Sequence, residues 1–118
     1  MRRIAIEVEG KGRALMELDR RNVKTADAVY DILPIRARAS VWLDEIYFAI
    51  PLELEDENPS PASSRDDISY WSPGPAFCIF LGNSQPYSPV NHIGRLTEGR
   101  DLLLNVQEGD WISLSIAE

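Results

Sequence analysis

Asp67-Ile68-Ser69-Tyr70-Trp71-Ser72-Pro73-Gly74-Pro75-Ala76-Phe77-Cys78-Ile79-Phe80-Leu81-Gly82 is the stretch on which the fold turns. It reads as two short strands joined by a Pro-Gly turn. Pro73 presets φ near about −65°, which suits the second position of a tight turn, and Gly74 can take the positive φ that a type II turn needs next. In the first strand Ile68 and Tyr70 point to one face, Ser69 and Trp71 to the other. Residues 76–81 are apolar on both faces. A run this short, bounded by Pro75 and Gly82, is predicted as a strand buried on both sides. Pro75 has no backbone donor and belongs at the strand entrance.

Upstream of this hairpin the chain alternates repeatedly. Residues 3–9 place Ile4, Ile6 and Val8 inward, with Arg3, Ala5, Glu7 and Glu9 outward. Gly10-Lys11-Gly12 is a hairpin loop, and residues 13–19 form a second strand with Ala14, Met16 and Leu18 on one face. Ala26, Val29, Tyr30 and Leu33 then recur at helical spacing. Thr25 suits the N-cap of that helix, Asp27 its first turn, and Pro34 ends it. Residues 35–42 are predicted as one strand, with Ile35, Ala37, Ala39 and Val41 facing away from Arg36, Arg38, Ser40 and Trp42. Residues 44–50 return, with Ile46, Phe48 and Ile50 opposed to Glu45, Tyr47 and Ala49.

Residues 52–67 change character. They are acidic, then rich in Pro and Ser, and are expected to form a mobile surface loop. Residues 83–89 are another loop, 90–96 a strand, and 99–106 a short helical turn with Leu102, Leu103 and Val106 inward. Residues 111–117 close the chain with Ile112, Leu114 and Ile116 on the core face. Many short alternating strands and one clear helix predict a mainly β chain. The architecture is a small closed or nearly closed β-barrel with one clear helix and one short helical turn, in a single domain over residues 1–118.

Tyr70-Trp71-Ser72-Pro73-Gly74, then Phe80-Leu81-Gly82, then Pro89-Val90-Asn91-His92-Ile93-Gly94 resemble the signature of a compact prokaryotic cyclophilin-like family of unassigned function. The resemblance implies a cyclophilin-type β-barrel. Two places depart from the family pattern: Asp66-Asp67 stands where similar proteins tend to carry Gly-Asp, and Asn83-Ser84-Gln85-Pro86 follows Gly82 in place of a Pro-Thr-Pro run. Lys24-Thr25-Ala26-Asp27 is similar to the cyclophilin helix opening, and Arg38 could stand where cyclophilins place their catalytic arginine. Around it, however, the Phe-His-Arg setting is replaced by Ala37-Arg38-Ala39, and the glutamine expected downstream has no counterpart on residues 43–47.

Composition narrows the function classes. The chain has 118 residues, 44% of them hydrophobic, and a net charge of −7. Such a surface repels phosphate backbones, so no nucleic-acid partner is expected. The longest apolar run is six residues, too short to span a bilayer, and Ile4-Ala5-Ile6 is too short for a secretory h-region. No membrane association is expected. A lone cysteine, Cys78, among apolar neighbours reads as a buried thiol and fits a reducing, cytoplasmic setting. One His and one Cys cannot build a zinc site of the usual spacing, and the acidic loop has no EF-hand pattern. No metal or other cofactor is expected. There is no Gly-x-Ser-x-Gly elbow, phosphate loop or dinucleotide-binding glycine pattern. His92, between Asn91 and Ile93, is read as structural.

Aromatics supply the remaining signal. Trp42, Tyr47, Trp71 and Trp111 fall on faces opposite the apolar stripes, and aromatics on an otherwise polar face can line a groove. The expected function is a binding module with a partly apolar groove for a peptide segment or small ligand. Its candidate residues are Arg38 as donor, Tyr47, Trp71 and Phe80 as wall, and Asn91 to fix a peptide group. Two alternatives stand beside it. One is a weak peptidyl-prolyl isomerase, implied by the resemblance, with Arg38 catalytic. The other is a structural or oligomerisation subunit; the oligomeric state is left open.

Overall fold

The alternating stretches become nine strands. The computed structural model describes residues 2–117. In chain order the elements are β1 (Arg3–Val8), β2 (Gly12–Leu18), α1 (Val23–Asp31), β3 (Ile35–Arg38), β4 (Ser40–Trp42), β5 (Glu45–Ala49), β6 (Asp67–Trp71), β7 (Ala76–Phe80), β8 (Asn91–Glu98), α2 (Arg100–Leu103) and β9 (Trp111–Ala117). The strands form one antiparallel sheet in the order β3-β9-β1-β2-β8-β6-β7-β5-β4, curled into a nearly closed barrel. Inside it, Ile4, Ile6 and Val8 of β1 meet Ala14 and Met16 of β2 and Ile112 and Leu114 of β9 in one core cluster. The stripe on β9 stops short of the strand end: Ile116, expected inward, is 46% exposed.

The central hairpin is β6 and β7, paired Ile68 to Ile79 and Tyr70 to Phe77. All of β7 is buried, as its two apolar faces demand. Phe77 and Ile79 enter the barrel core, whereas Ala76, Cys78 and Phe80 pack on the outside with Val90, Tyr47 and Trp71. The turn differs from the expected type II geometry: Gly74 does not take a positive φ, and the Gly74–Pro75 bond is cis. Glycine is required there for space instead. A Cβ on Gly74 would lie 2.7 Å from the Ala76 nitrogen and 2.8 Å from its Cβ.

Residues 35–42 are not one strand. β3 pairs with β9, and β4 pairs with β5, at opposite ends of the sheet order. The chain crosses the barrel seam at Ala39, whose N–H donates to the Asp110 carbonyl at 2.7 Å and whose carbonyl accepts from the Gly109 N–H at 2.8 Å. A single extended stretch thus supplies both edges of the barrel.

Helix α1 begins two residues before the expected cap. Asn22 is its N-cap residue, without a side-chain capping bond, and Asp27 lies beyond the first turn. Thr25 is inside the helix, and the carboxylate that meets the helix start comes from Glu57. Residues 52–67 are accordingly tied down. The Tyr70 hydroxyl donates to the Leu52 carbonyl and accepts from the Leu54 N–H. Asn58 N–H donates to Asn22, and Ser60 bridges to Val90.

Candidate functional site: an aromatic pocket on the outer face of the barrel

Alternation builds the site. Register sets Trp42 of β4 opposite Glu45 of β5, and Glu45 opposite Phe80 of β7. One pair further along, Tyr47 lies opposite Cys78, and Ala49 opposite Ala76, which in turn faces Trp71. Since Ile46, Phe48, Phe77, Ile79 and Tyr70 point into the barrel, this second set must point out. Residues left outside a sheet are normally wet. Here they are covered by the segment before β8, which lays Pro86, Tyr87 and Val90 over them.

The result is a pocket of about 240 Å³ lined by Trp42, Glu45, Tyr47, Trp71, Cys78, Pro86, Tyr87 and Val90. Trp71 fixes one wall: its Nε1–H donates to Ser88 Oγ at 2.8 Å, and Tyr87 stands edge-on to its ring at 6.5 Å. Trp42 and Tyr87 form the mouth, 44% and 87% exposed. Asp44 holds the root of the covering segment, accepting the N–H groups of Asn83 and Ser84 at 3.0 and 3.1 Å and the Ser84 hydroxyl. The Ser84 hydroxyl bond, with help from those two N–H groups, keeps the Asp44 carboxyl below the usual carboxylate range.

Among the described residues, the buried ionisable groups of the pocket are both on its floor. Glu45 is 7% exposed and Cys78 2%. Burial pushes the Glu45 carboxyl up to about 7; the hydrogen bond from the Cys78 thiol opposes that rise, and the neighbouring charge of Asp44 adds to it. Burial first, then the charge of Glu45, pushes the Cys78 thiol well above the ordinary thiol range. The nucleophilic form of a cysteine is the thiolate, so this thiol is inert packing beside a titratable carboxyl.

The expected site residues divide. Tyr47 and Trp71 line the pocket, and Phe80 lies beneath it, fully buried in the outer cluster. Arg38 is elsewhere, at the end of β3, with its guanidinium over the Trp111 ring at 4.9 Å. Arg36 covers the same ring at 3.7 Å and pairs with Glu9. Asn91 is fully buried, and its amide is used within the chain: Oδ1 accepts the Glu57 N–H at 2.8 Å and Nδ2 donates to Asp56 at 2.9 Å. Glu45 is a pocket residue that the aromatic pattern does not single out. Its signal was its place two residues before Tyr47 and across a tight turn from Trp42, on the face away from Ile46.

His92 is 4% exposed; its Nε2 lies 2.6 Å from Asp19 Oδ2 and its Nδ1 3.6 Å from Asp67 Oδ2. Its cross-strand neighbour Ser69 is fully buried, and among the described residues its hydroxyl meets no hydrogen-bond partner. This hydroxyl is sealed from any substrate, so the pair does not make a hydrolytic site.

A family model described as cyclophilin-like matches residues 2–115. This chain belongs to the cyclophilin-like family. Among solved structures, the solution structure of the hypothetical protein AF2241 from Archaeoglobus fulgidus superposes with a TM-score of 0.83 at 33% identity, covering 98% of this cyclophilin-like chain and 95% of that one. The structure of McbB in complex with tryptophan superposes with a TM-score of 0.78 at 16% identity, covering 95% of this chain and 44% of that one. The second likeness is one of fold alone. A search of curated proteins returns no match. Among the described residues of this cyclophilin-like chain, no helix is long and apolar enough to cross a membrane.

Proposed function

We propose that this cyclophilin-like protein is a binding module for a small ligand with an apolar body, held in the outer pocket between β4, β5, β6, β7 and the segment before β8. One observation carries the reading: Trp42, Tyr47, Trp71 and Tyr87 surround a pocket whose floor is a buried carboxyl. Ligand sites combine an apolar, aromatic lining with a few placed polar groups, and this pocket has that composition. In this reading Tyr47 and Trp71 form the wall, and Phe80 packs behind it in the outer cluster. Asn91 holds residues 56–57 in place and so acts at a distance from the pocket.

A small ligand fits better than a peptide segment. A pocket of about 240 Å³ accommodates one ring or one side chain. A peptide would leave most of its backbone over the exposed rings of Trp42 and Tyr87. Prolyl isomerisation would require a fixed donor, such as a guanidinium, beside the proline pocket. No arginine lines this pocket.

The test is a titration of the labelled protein with a library of single-ring fragments, followed by two-dimensional NMR. Shifts confined to the Trp42 and Trp71 indole N–H signals and to the amides of residues 45–47 and 86–90 are expected, with weaker binding in Tyr47→Ala. Shifts centred on Trp111 and Arg38, or none with any fragment, would remove the reading. Exchange between cis and trans forms of a proline peptide, appearing only with protein, would replace it by an isomerase.

A further inference from the structure

We infer that the pocket takes a small organic cation, an ammonium group on an apolar body, with the ammonium against the Glu45 carboxyl and among the rings of Trp42, Tyr47, Trp71 and Tyr87. This deepens the small-ligand reading and rests on it.

Charge complementarity selects the class. The titratable groups facing Glu45 are Asp44 in the adjoining turn, Cys78 on β7, Tyr47 on its own strand and Tyr87 in the covering segment. None of them carries positive charge. An anionic ligand would be driven against a carboxylate with no cation to offset it. A neutral ligand would cover that carboxylate without offsetting its charge, or force it to hold a proton. A cation meets both requirements of the pocket. It forms a charge-assisted contact with Glu45, and it is attracted to the negative faces of the surrounding rings. Aromatic rings gathered around the cation are the usual chemistry for ammonium recognition.

The state of the empty pocket adds a signature. Burial holds the Glu45 carboxyl at a pKa of about 7, so near neutrality it is only partly ionised. An entering cation favours the ionised form, and the proton leaves for solvent. Binding is therefore coupled to proton release. Raising the pH from about 6 to about 8 should raise cation affinity about tenfold, by the ratio of ionised fractions around that pKa.

The experiment uses two matched pairs: phenethylamine with phenethyl alcohol, and choline with its uncharged carbon isostere. Choline keeps its charge at every pH, so its profile reports on the protein alone. Affinities are read from the Trp42 and Trp71 indole signals at both pH values. The expected result is that a cation binds about tenfold more tightly than its neutral partner at the higher pH. That preference should fade at the lower pH and disappear in Glu45→Gln, whose side chain keeps the shape without the charge. If the variant fails to fold, the wild-type choline profile decides alone. Equal binding of both members of each pair, independent of pH, overturns the cation and leaves the small-ligand pocket standing. Fragment binding at these indoles by uncharged compounds but by neither cation has the same consequence. If nothing moves these signals, both readings fall.

Discussion

Glu57 accepts two hydrogen bonds from Thr25, one from its backbone N–H and one from its hydroxyl, each at 2.9 Å. The Lys24 N–H adds a third at 3.3 Å. A loop residue thirty-two positions away thus does for α1 what an N-cap side chain usually does, satisfying N–H groups that no helical turn can reach. These bonds favour the charged form and lower the Glu57 carboxyl below its usual range.

Glu57→Ala should therefore lower Tm and speed amide exchange at Lys24 and Thr25 together with residues 56–60. The sign of the pH effect follows from the lowered pKa. The contribution is present above the unfolded-state pKa and is lost as pH falls through the lower folded-state value. The gap between wild type and variant should close on acidification. A gap that persists in acid would mean that the carboxylate's charge does not hold the loop.

Tyr70 fastens the other end of the same segment from inside the barrel. Its ring is fully buried, and its hydroxyl bridges Leu52 and Leu54 at 2.7 and 3.0 Å. Tyr70→Phe keeps the ring and leaves a carbonyl and an N–H without partners. A cost of about 1–3 kcal/mol is expected from urea midpoints. Faster exchange of the Leu54 amide would show that the loss is local to the bridge. No change at Leu54 would place water in the hydroxyl's role.

Period-two alternation made most of the barrel legible, because Ile4, Ile6, Val8, Met16 and Phe48 have one wet face and one dry face to choose between. It could not show that the run from Ile35 to Trp42 divides at Ala39. Both halves are extended, and only the closure of the sheet assigns them to different neighbours. The same limit governs the site. Tyr47 and Trp71 stand out as aromatics on a polar face, whereas nothing in the local pattern sets Glu45 apart from other charged residues on such a face. Its burial comes from Tyr87 and its flanking residues, some forty positions later, which no local pattern links to β5. Arg38 follows from the resemblance to cyclophilins, but β3 pairs with β9 and so turns Arg38 to Trp111.

Gly94 tests the closeness of β2 and β8 where it lies opposite Leu18. A Cβ there would overlap the Glu17 carbonyl oxygen and approach the Met16 Cε to 2.8 Å. The backbone atom cannot yield without breaking the ladder between these strands. Gly94→Ala should lose about 3 kcal/mol, the upper end of what overpacking with backbone displacement costs, or fail to fold. A soluble variant with an unchanged urea midpoint would mean that β8 can shift away from β2.

Glu45 gives the barrel an unusual pH dependence of its own. Its carboxyl titrates at about 7 in the folded protein against 4.5 for the free group. Between those values the native state binds more protons than the unfolded chain, so stability falls as pH rises. The favourable contribution is complete below the unfolded value and gone once pH has passed through the folded one. Allowing for solvent access through the mouth, the change amounts to about 2 kcal/mol. Other groups titrate over the same range, so the informative quantity is the difference between wild type and Glu45→Gln. Urea midpoints at about pH 5 and about pH 8 should show the variant gaining on wild type at the higher pH. A difference that stays constant would mean that the carboxyl is better hydrated in the empty pocket than its burial implies. The cation expected there would then have to bind without displacing a proton.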